Sequence, residues 1–366
     1  MKEERDMVAV SVPFALGVFV GTAGSAYMGY TQEYIAAGAA AVTSALFLAL
    51  FSKSRKAGIL PCLLFLTLGI FCSISGDIQG PGISHGGGGP AAFAGRCLEA
   101  LREVIRSVPF PNGSTNSLIS ALLTGDRSGL TPEQTAAFRG SGTSHILALS
   151  GLHLGMIYLI VSRMLAVIGN TPSARRLRCF VVTAFSGLYT LMTGAGPSIV
   201  RAFIFIVINE LSRLDPERKD SPVRTLMAAL TIQLALRPAV AGNLGFQLSY
   251  LAMTGIATLY PSMSSWYPDS GRPGGFHPVR KLWNSTALTV SCQLFTAPLV
   301  WIRFRTFPKY FLISNLTALP LTSAVMVLSV VTIVLSCAGI CPELLILLDD
   351  RLVQMLFFLL ECVSGM

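Results

Sequence analysis

Ionisable and hydroxyl-bearing side chains crowd into one stretch of an otherwise apolar chain. Leu118 to Gly155 reads LISALLTGDRSGLTPEQTAAFRGSGTSHILALSGLHLG. Asp126, Arg127, Ser144, His145, Ser150 and His153 there offer a carboxylate, a guanidinium, two hydroxyls and two imidazoles. Inside a bilayer such groups either line a polar passage or hydrogen-bond neighbouring helices. Arg201 is a further cation, one turn past Pro197 in PSIVRAFIFIVIN. A charge near mid-membrane costs about 2.5–3.5 kcal/mol, so it needs a partner, a wet cavity or a snorkelling route to the interface. The preceding GAGPS supplies a broken backbone and a helix N-terminus able to face a phosphate. Gln247 and Asn315 are uncharged polar candidates, and Arg303, Arg305 and Lys309 form a basic cluster in RFRTFPK.

This chemistry is that of passage, not catalysis. The four histidines are scattered, HExxH and the P-loop GxxxxGK[ST] are absent, and no paired carboxylates fall within apolar spans. Asp349 and Asp350 read as a helix cap and a solvated charge at a loop-to-helix junction. We expect no enzyme activity, no metal and no cofactor, with transport energy supplied from elsewhere.

The elements that must hold these groups can be read locally. Gly129 breaks an apolar segment, and Thr131 and Pro132 start a short helix as N-cap and first helical residue. Gly140 and Gly142 end it, and a second helix is expected from about Thr143. On that helix Ser144, Ala148, Gly151 and Gly155 would form one small-residue stripe, with Gly151 and Gly155 serving close helix packing. His145 and His153 fall off the stripe, roughly 80° apart and about 12 Å apart along the axis, so they do not share a metal.

Composition sets the class. The chain has 366 residues, 52% hydrophobic and 12% charged, against about 25% charged in soluble domains. Mean hydropathy is +0.63. Several segments exceed the 18 or so apolar residues that cross about 30 Å of hydrocarbon. The expected fold is all-α: a polytopic membrane bundle of about ten to eleven spans, some broken or re-entrant. The net charge of +9 fits either basic cytoplasmic loops or a polyanion moving along the protein. Eight cysteines without a CxxC pair indicate neither a disulfide framework nor a zinc site.

In order, spans are expected at 7–28, 33–52, 58–76, 143–168, 178–195, 197–212, 222–237, 240–262, 283–302, 310–338 and 343–363. The SKSRK loop ending at Lys56 is cytoplasmic by the positive-inside rule. That puts the N-terminus inside and residues 77–142 outside. The basic loops 163–178, 213–224 and 272–281 then fall inside, while the Arg303–Lys309 cluster falls outside. Residues 77–90 are a Gly-rich linker holding a solvated His85. From Ala94 to Val108 an amphipathic pattern places Leu98, Leu101, Ile105 and Val108 opposite Arg96, Glu99, Arg102, Glu103 and Arg106. This extracytoplasmic helix is expected on the outer membrane surface, its charged face either without a partner or forming a rim that guides a polyanion such as DNA. The resulting segments are 1–76, a three-span region; 77–117, linker and amphipathic helix; and 118–366, a transmembrane channel domain.

The run GDRSGLTPEQTAAFRGSGTSHILALSGLHLG resembles the signature of the competence domain in the ComEC family of bacterial DNA-uptake channels. PSIVRAF at 197–203, GFQLSYLA at 245–252 and ISNLTALPL at 313–321 are similar to that family in order and spacing. The resemblance implies a channel core in the bacterial cytoplasmic membrane that passes single-stranded DNA. Its phosphates would meet Arg127, Arg201 and the outer basic cluster, and DNA receptor, motor and nuclease would be separate proteins. The family's OB-type extracytoplasmic domain does not fit the short linker. Its metallo-β-lactamase-like nuclease domain has no counterpart in this sequence, so neither property is carried over. Two other readings stay open: a permease for a small anionic solute bound by Arg201 and His153, and a degenerate membrane scaffold that transports nothing.

Overall fold

The computed structural model describes residues 2–25, 59–78, 89–169, 171–214, 221–267, 278–305 and 310–364. The expected span 33–52, the SKSRK loop, most of the Gly-rich linker with His85, and Lys309 lie outside them. The helices run α1 (Lys2–Ser25), α2 (Ile59–Ile78), α3 (Pro90–Ser107), α4 (Gly113–Thr124), α5 (Pro132–Gly140), α6 (Ser144–Leu147), α7 (Gly151–Leu165) and α8 (Pro172–Met192). They continue with α9 (Pro197–Ser212), α10 (Pro222–Leu236), α11 (Leu244–Thr258), α12 (Tyr260–Ser264), α13 (Pro278–Phe304), α14 (Phe311–Cys337) and α15 (Glu343–Ser364). The described residues contain no strand, so the chain is all-α as expected.

Among the described residues three helices are long and apolar enough to cross a membrane: Gly151–Ile168, Val279–Phe304 and Phe311–Cys337. The ten to eleven spans expected from the sequence are not reached on length and composition among the described residues. The expected span 240–262 is divided into a 3₁₀ turn at Pro238–Gly242, then α11 and α12. By contrast α14 runs unbroken through Pro320.

By compactness the chain forms two units, Met1–His85 with Asp215–Ala257, and Gly86–Leu214 with Thr258–Met366. In the first, α1 crosses α2 at glycines. A Cβ at Gly17 would fall on the Leu66 carbonyl, and one at Gly69 on the Phe14 carbonyl. Gly17 and Gly21 thus act as a small-xxx-small pair, bringing backbones close enough for dispersion and polar contacts to replace the missing hydrophobic drive. The Thr22 and Ser73 hydroxyls meet at 2.8 Å. The Thr231 hydroxyl of α10 donates to the Ser11 hydroxyl at 3.0 Å.

The second unit has one large core, drawn from α3, α4, α5, α14 and α15. Ile105, Leu118, Ile119, Leu122, Phe138, Met326, Val353 and Leu360 are buried there. Each such side chain contributes roughly 1.5–3 kcal/mol on burial. The amphipathic α3 buries Ala94, Ile105 and Val108 and packs on α8 and α4. It belongs to this core, where the sequence suggested only a surface helix. A smaller cluster of Leu154, Ile157, Val182, Ile199 and Ile206 joins α7, α8 and α9.

Candidate functional site

The polar stretch begins where α4 stops. Gly125 adopts φ 78°, and its amide donates to the Ala121 carbonyl. A Cβ there would meet Leu149 Cδ1 at 2.5 Å, so both conformation and space call for glycine. The Asp126 carboxylate then closes a turn, accepting from the Ser128 hydroxyl at 2.7 Å and the Ser128 amide at 3.1 Å. Arg102 Nε lies 3.6 Å from its other oxygen. These hydrogen bonds from Ser128, followed by the charges of Arg102 and Arg106, hold Asp126 below the usual carboxylate range. Arg102 also pairs with Glu99 at 3.3 Å, and Glu99 with Arg106 at 3.6 Å. The charged face of α3 therefore has a partner in Asp126, contrary to the reading of a face without one. Arg127 is exposed, with its Nε donating to the Leu147 carbonyl at 3.0 Å.

Thr131 caps α5 as its sequence predicts. Its hydroxyl accepts the Gln134 amide at 3.2 Å, and Gln134 Oε1 accepts the Thr131 amide at 3.0 Å. Beyond Gly142 (φ 76°) the buried Ser141 and Thr143 hydroxyls meet at 2.8 Å. Ser314 of α14 donates to the Ser141 carbonyl at 2.7 Å.

From here the structure departs from the expected single helix over 143–168. α6 spans four residues, the chain extends through Ala148 (ψ 123°) and Ser150 (ψ 171°), and α7 starts at Gly151. The cause is a second capping box. The Ser150 hydroxyl accepts the Leu152 amide at 3.2 Å, and His153 Nδ1 accepts the Ser150 amide at 3.1 Å. An imidazole fills the place of the usual Glu or Gln. An accepting Nδ1 puts the ring hydrogen of neutral histidine on Nε2, which is buried without a hydrogen-bond partner.

The small-residue stripe is broken with the helix, since Ser144 and Ala148 precede the break. Of its remaining members, Gly151 packs closely: a Cβ would stand 3.1 Å from Ala202 Cβ and from Arg201 Nη2. Gly155 does not, with nothing within 4 Å of an added Cβ. His145, on α6, is exposed, while His153 is 0% exposed.

Arg201 is 9% exposed. Its guanidinium lies against Gly151 and 5.8 Å from the Phe205 ring centroid, a cation–π contact. The turn before α9 carries Gly194 at φ 80° and Ala195 at φ 49°. A non-glycine residue there is strained, and the Ala195 amide secures it by donating to the Thr190 carbonyl at 2.9 Å. Further along α9 lies a cluster the sequence reading missed. Buried Glu210 accepts from the Tyr158 hydroxyl at 2.7 Å and from Arg213 at 2.9 Å.

The candidates thus fall into separate places. Asp126 and Arg127 border the α4–α5 loop, whereas Gly151, His153 and Arg201 meet where α7 approaches α9. Asn315 lies on α14 with its Oδ1 buried and unpartnered. Gln247 belongs to the first unit, where its Nε2 donates to the Ala241 carbonyl at 2.8 Å. Arg303 and Arg305 are exposed at the end of α13, Arg305 at φ 55°. Two clefts of about 370 and 260 Å³ are almost wholly apolar, and no candidate lines either. No group of three or more His, Cys, Asp or Glu able to hold a metal occurs among the described residues.

One expectation is overturned outright. Asp349 and Asp350 are not solvated: they lie within α15, 0% and 2% exposed. Asp350 accepts from the Thr115 hydroxyl at 2.5 Å and Asn112 Nδ2 at 2.7 Å. Asp349 Oδ1 accepts from the Ser329 hydroxyl at 3.1 Å. The signal available in the sequence was the hydroxyl series Thr322, Ser329, Thr332, Ser336, which places polar groups on one face of α14.

The chain is 28% identical over 163 residues to ComE operon protein 3 of Bacillus subtilis, covering 44% of this chain and 20% of that protein. It is 25% identical over 226 residues to Recombination protein 2 of Haemophilus influenzae, covering 58% of this chain and 28% of that protein. It therefore spans well under half the length of the curated relatives it matches. No solved structure gives a significant match. The family model described as Competence protein matches residues 122–366, from within α4 to the last residue. The loops and caps built around Asp126, Thr131 and Ser150 all lie inside that match, and the chain belongs to the Competence protein family.

Proposed function

We propose that the chain forms the membrane-embedded core through which single-stranded DNA enters the cell during DNA uptake. The observation that carries this reading is the family match over 122–366, which takes in whole all three span-length helices of the described residues, from Gly151 to Cys337. The names of the two relatives, a ComE operon protein and a recombination protein, point to the same process. In this reading the protein sits in the bacterial cytoplasmic membrane with its N-terminus inside. Arg127, Arg303, Arg305 and Lys309 are the cations available to backbone phosphates. Arg201, enclosed beneath Gly151, serves the bundle before it serves the strand. Receptor, motor and nuclease are separate proteins, and this chain conducts without catalysing.

Single-strand binding to the purified protein in lipid nanodiscs tests the proposal. The logarithm of affinity should fall linearly with the logarithm of salt concentration, by about 0.7 per neutralised phosphate. Affinity should also rise with strand length. Replacing Arg303, Arg305 and Lys309 together by Gln should flatten the salt slope. Affinity independent of strand length would point instead to a site for a small anionic solute, and no binding at low salt would exclude DNA as the substrate.

A further inference from the structure

The buried carboxyl pair on α15 lies outside everything the DNA reading uses. Its two members are satisfied unequally. Asp350 receives two donors, from Thr115 and Asn112. Asp349 receives one, from Ser329. Its second oxygen, Oδ2, is buried without a hydrogen-bond partner. The Thr332 hydroxyl, 0% exposed, faces the same carboxyl, at a geometry short of a full hydrogen bond.

Among the described residues of the helices packed here, no cation balances a negative charge at this position. Arg351, the adjacent basic residue, is exposed, as are Glu343 and Glu361 on the same helix. α14, α4 and α5 all pack against α15. α4 carries no ionisable residue, and Glu133 and Arg139 of α5 are exposed. The described part of α14 brings only hydroxyls and Asn315 along this face. Among the described residues of these helices, the ionisable group beside Asp349 is Asp350, another carboxyl. Isolated buried carboxylates are so costly that the group neutralises by binding a proton. A second carboxyl beside it adds to the cost of a charge on Asp349. A metal cation is a poorer occupant, because hard cations take about six or more oxygen ligands and one carboxyl with two hydroxyls falls short.

We propose that Asp349 is a proton-binding site, the proton residing between its Oδ2 and the Thr332 hydroxyl. On uptake, a carboxylate and a proton from water become a neutral carboxyl; on release the proton returns to water. One hydrogen on Oδ2, donated to Thr332 Oγ1, satisfies both orphaned oxygens at once. Thr322 and Ser336 sit seven residues either side of Ser329 on α14, and each carries a buried oxygen without a partner. Together with Asn315 Oδ1 they extend a polar line along the helix, the kind of surface on which water could reach the site.

Dicyclohexylcarbodiimide, an apolar reagent that modifies protonated carboxyls, is the probe. The purified protein in nanodiscs is treated across a pH series and the adduct located by mass spectrometry. The expected result is modification at Asp349, falling about tenfold per pH unit once the site ionises. The adduct should be lost in Asp349→Asn, a near-isosteric change, and retained at Asp349 in Asp350→Asn. Modification at Asp350 instead, no adduct in the wild-type protein, or labelling indifferent to pH would each overturn the assignment. Protection by sodium at fixed pH would overturn it in favour of a metal cation. The wild-type series stands even where a variant fails to fold, and it reads out independently of DNA.

Discussion

The Ser150 amide donates to Nδ1 of His153 at 3.1 Å, and this single contact decides where the third polar helix of the site begins. It places an imidazole at the N3 position of a capping box and leaves the ring fully buried. His153 is thereby a residue the local fold depends on, before any part it takes in passage.

The first prediction follows from that contact. His153→Ala removes the cap and opens a cavity, and should lower stability by about 2 kcal/mol, of which about 1 kcal/mol is the cap. His153→Gln restores the acceptor at N3 and should recover the capping part. Thermal unfolding of the detergent-solubilised protein reads both, and equal losses in the two variants would dissociate His153 from the cap.

Gly151 and Gly155 should behave oppositely. Gly151→Leu drives a side chain into Ala202 and the Arg201 guanidinium, an overpacking that costs typically about 1–3 kcal/mol. Gly155→Leu enters open space and should be tolerated. The amount of monodisperse protein on size-exclusion chromatography compares them, and equal losses would mean that the approach of α7 to α9 does not govern folding.

Asp126 gives a pH signature. Its carboxyl is held below the usual range by Ser128 and Arg102, so its folded pKa is depressed. Stability from this group is present above the unfolded value of about 3.9 and is lost as pH falls through the folded value. Its side chain is 21% exposed, which keeps the Arg102 pair within about 1 kcal/mol. Stability curves of wild type and Asp126→Asn should therefore converge as pH falls below about 4. Curves that stay parallel on the acid side would remove Asp126 from the account.

Asp350→Leu removes the acceptor of the buried Thr115 hydroxyl and of the exposed Asn112 amide. The buried Thr115 donor so orphaned costs about 1–3 kcal/mol, so the variant should unfold below wild type. Removing the donors too, in Thr115→Val with Asn112→Leu and Asp350→Leu, should recover part of the loss. A triple variant no better than the single one would place the cost in packing.

Much of this protein is written locally. The apolar content, the helical period and the length of the spans around α7, α13 and α14 follow from composition and pattern, because lipid leaves the backbone no alternative to internal hydrogen bonds. The cap at Thr131 is equally legible, since Thr131 and Gln134 are three residues apart and satisfy one another. The second cap was spelled in the sequence as Ser150 and His153, yet a histidine at N3 does not announce itself as an acceptor. The tautomer that makes it one depends on its burial. Gly151 and Gly155 are alike in sequence, and only the approach of Ala202 and Arg201 separates them. Asp350 is the plainest case: its donors lie 235 and 238 residues away in the chain. No local pattern distinguishes a solvated carboxylate from one closed between helices. Burial and partnership are properties of what packs against a residue, and tertiary structure alone decides them.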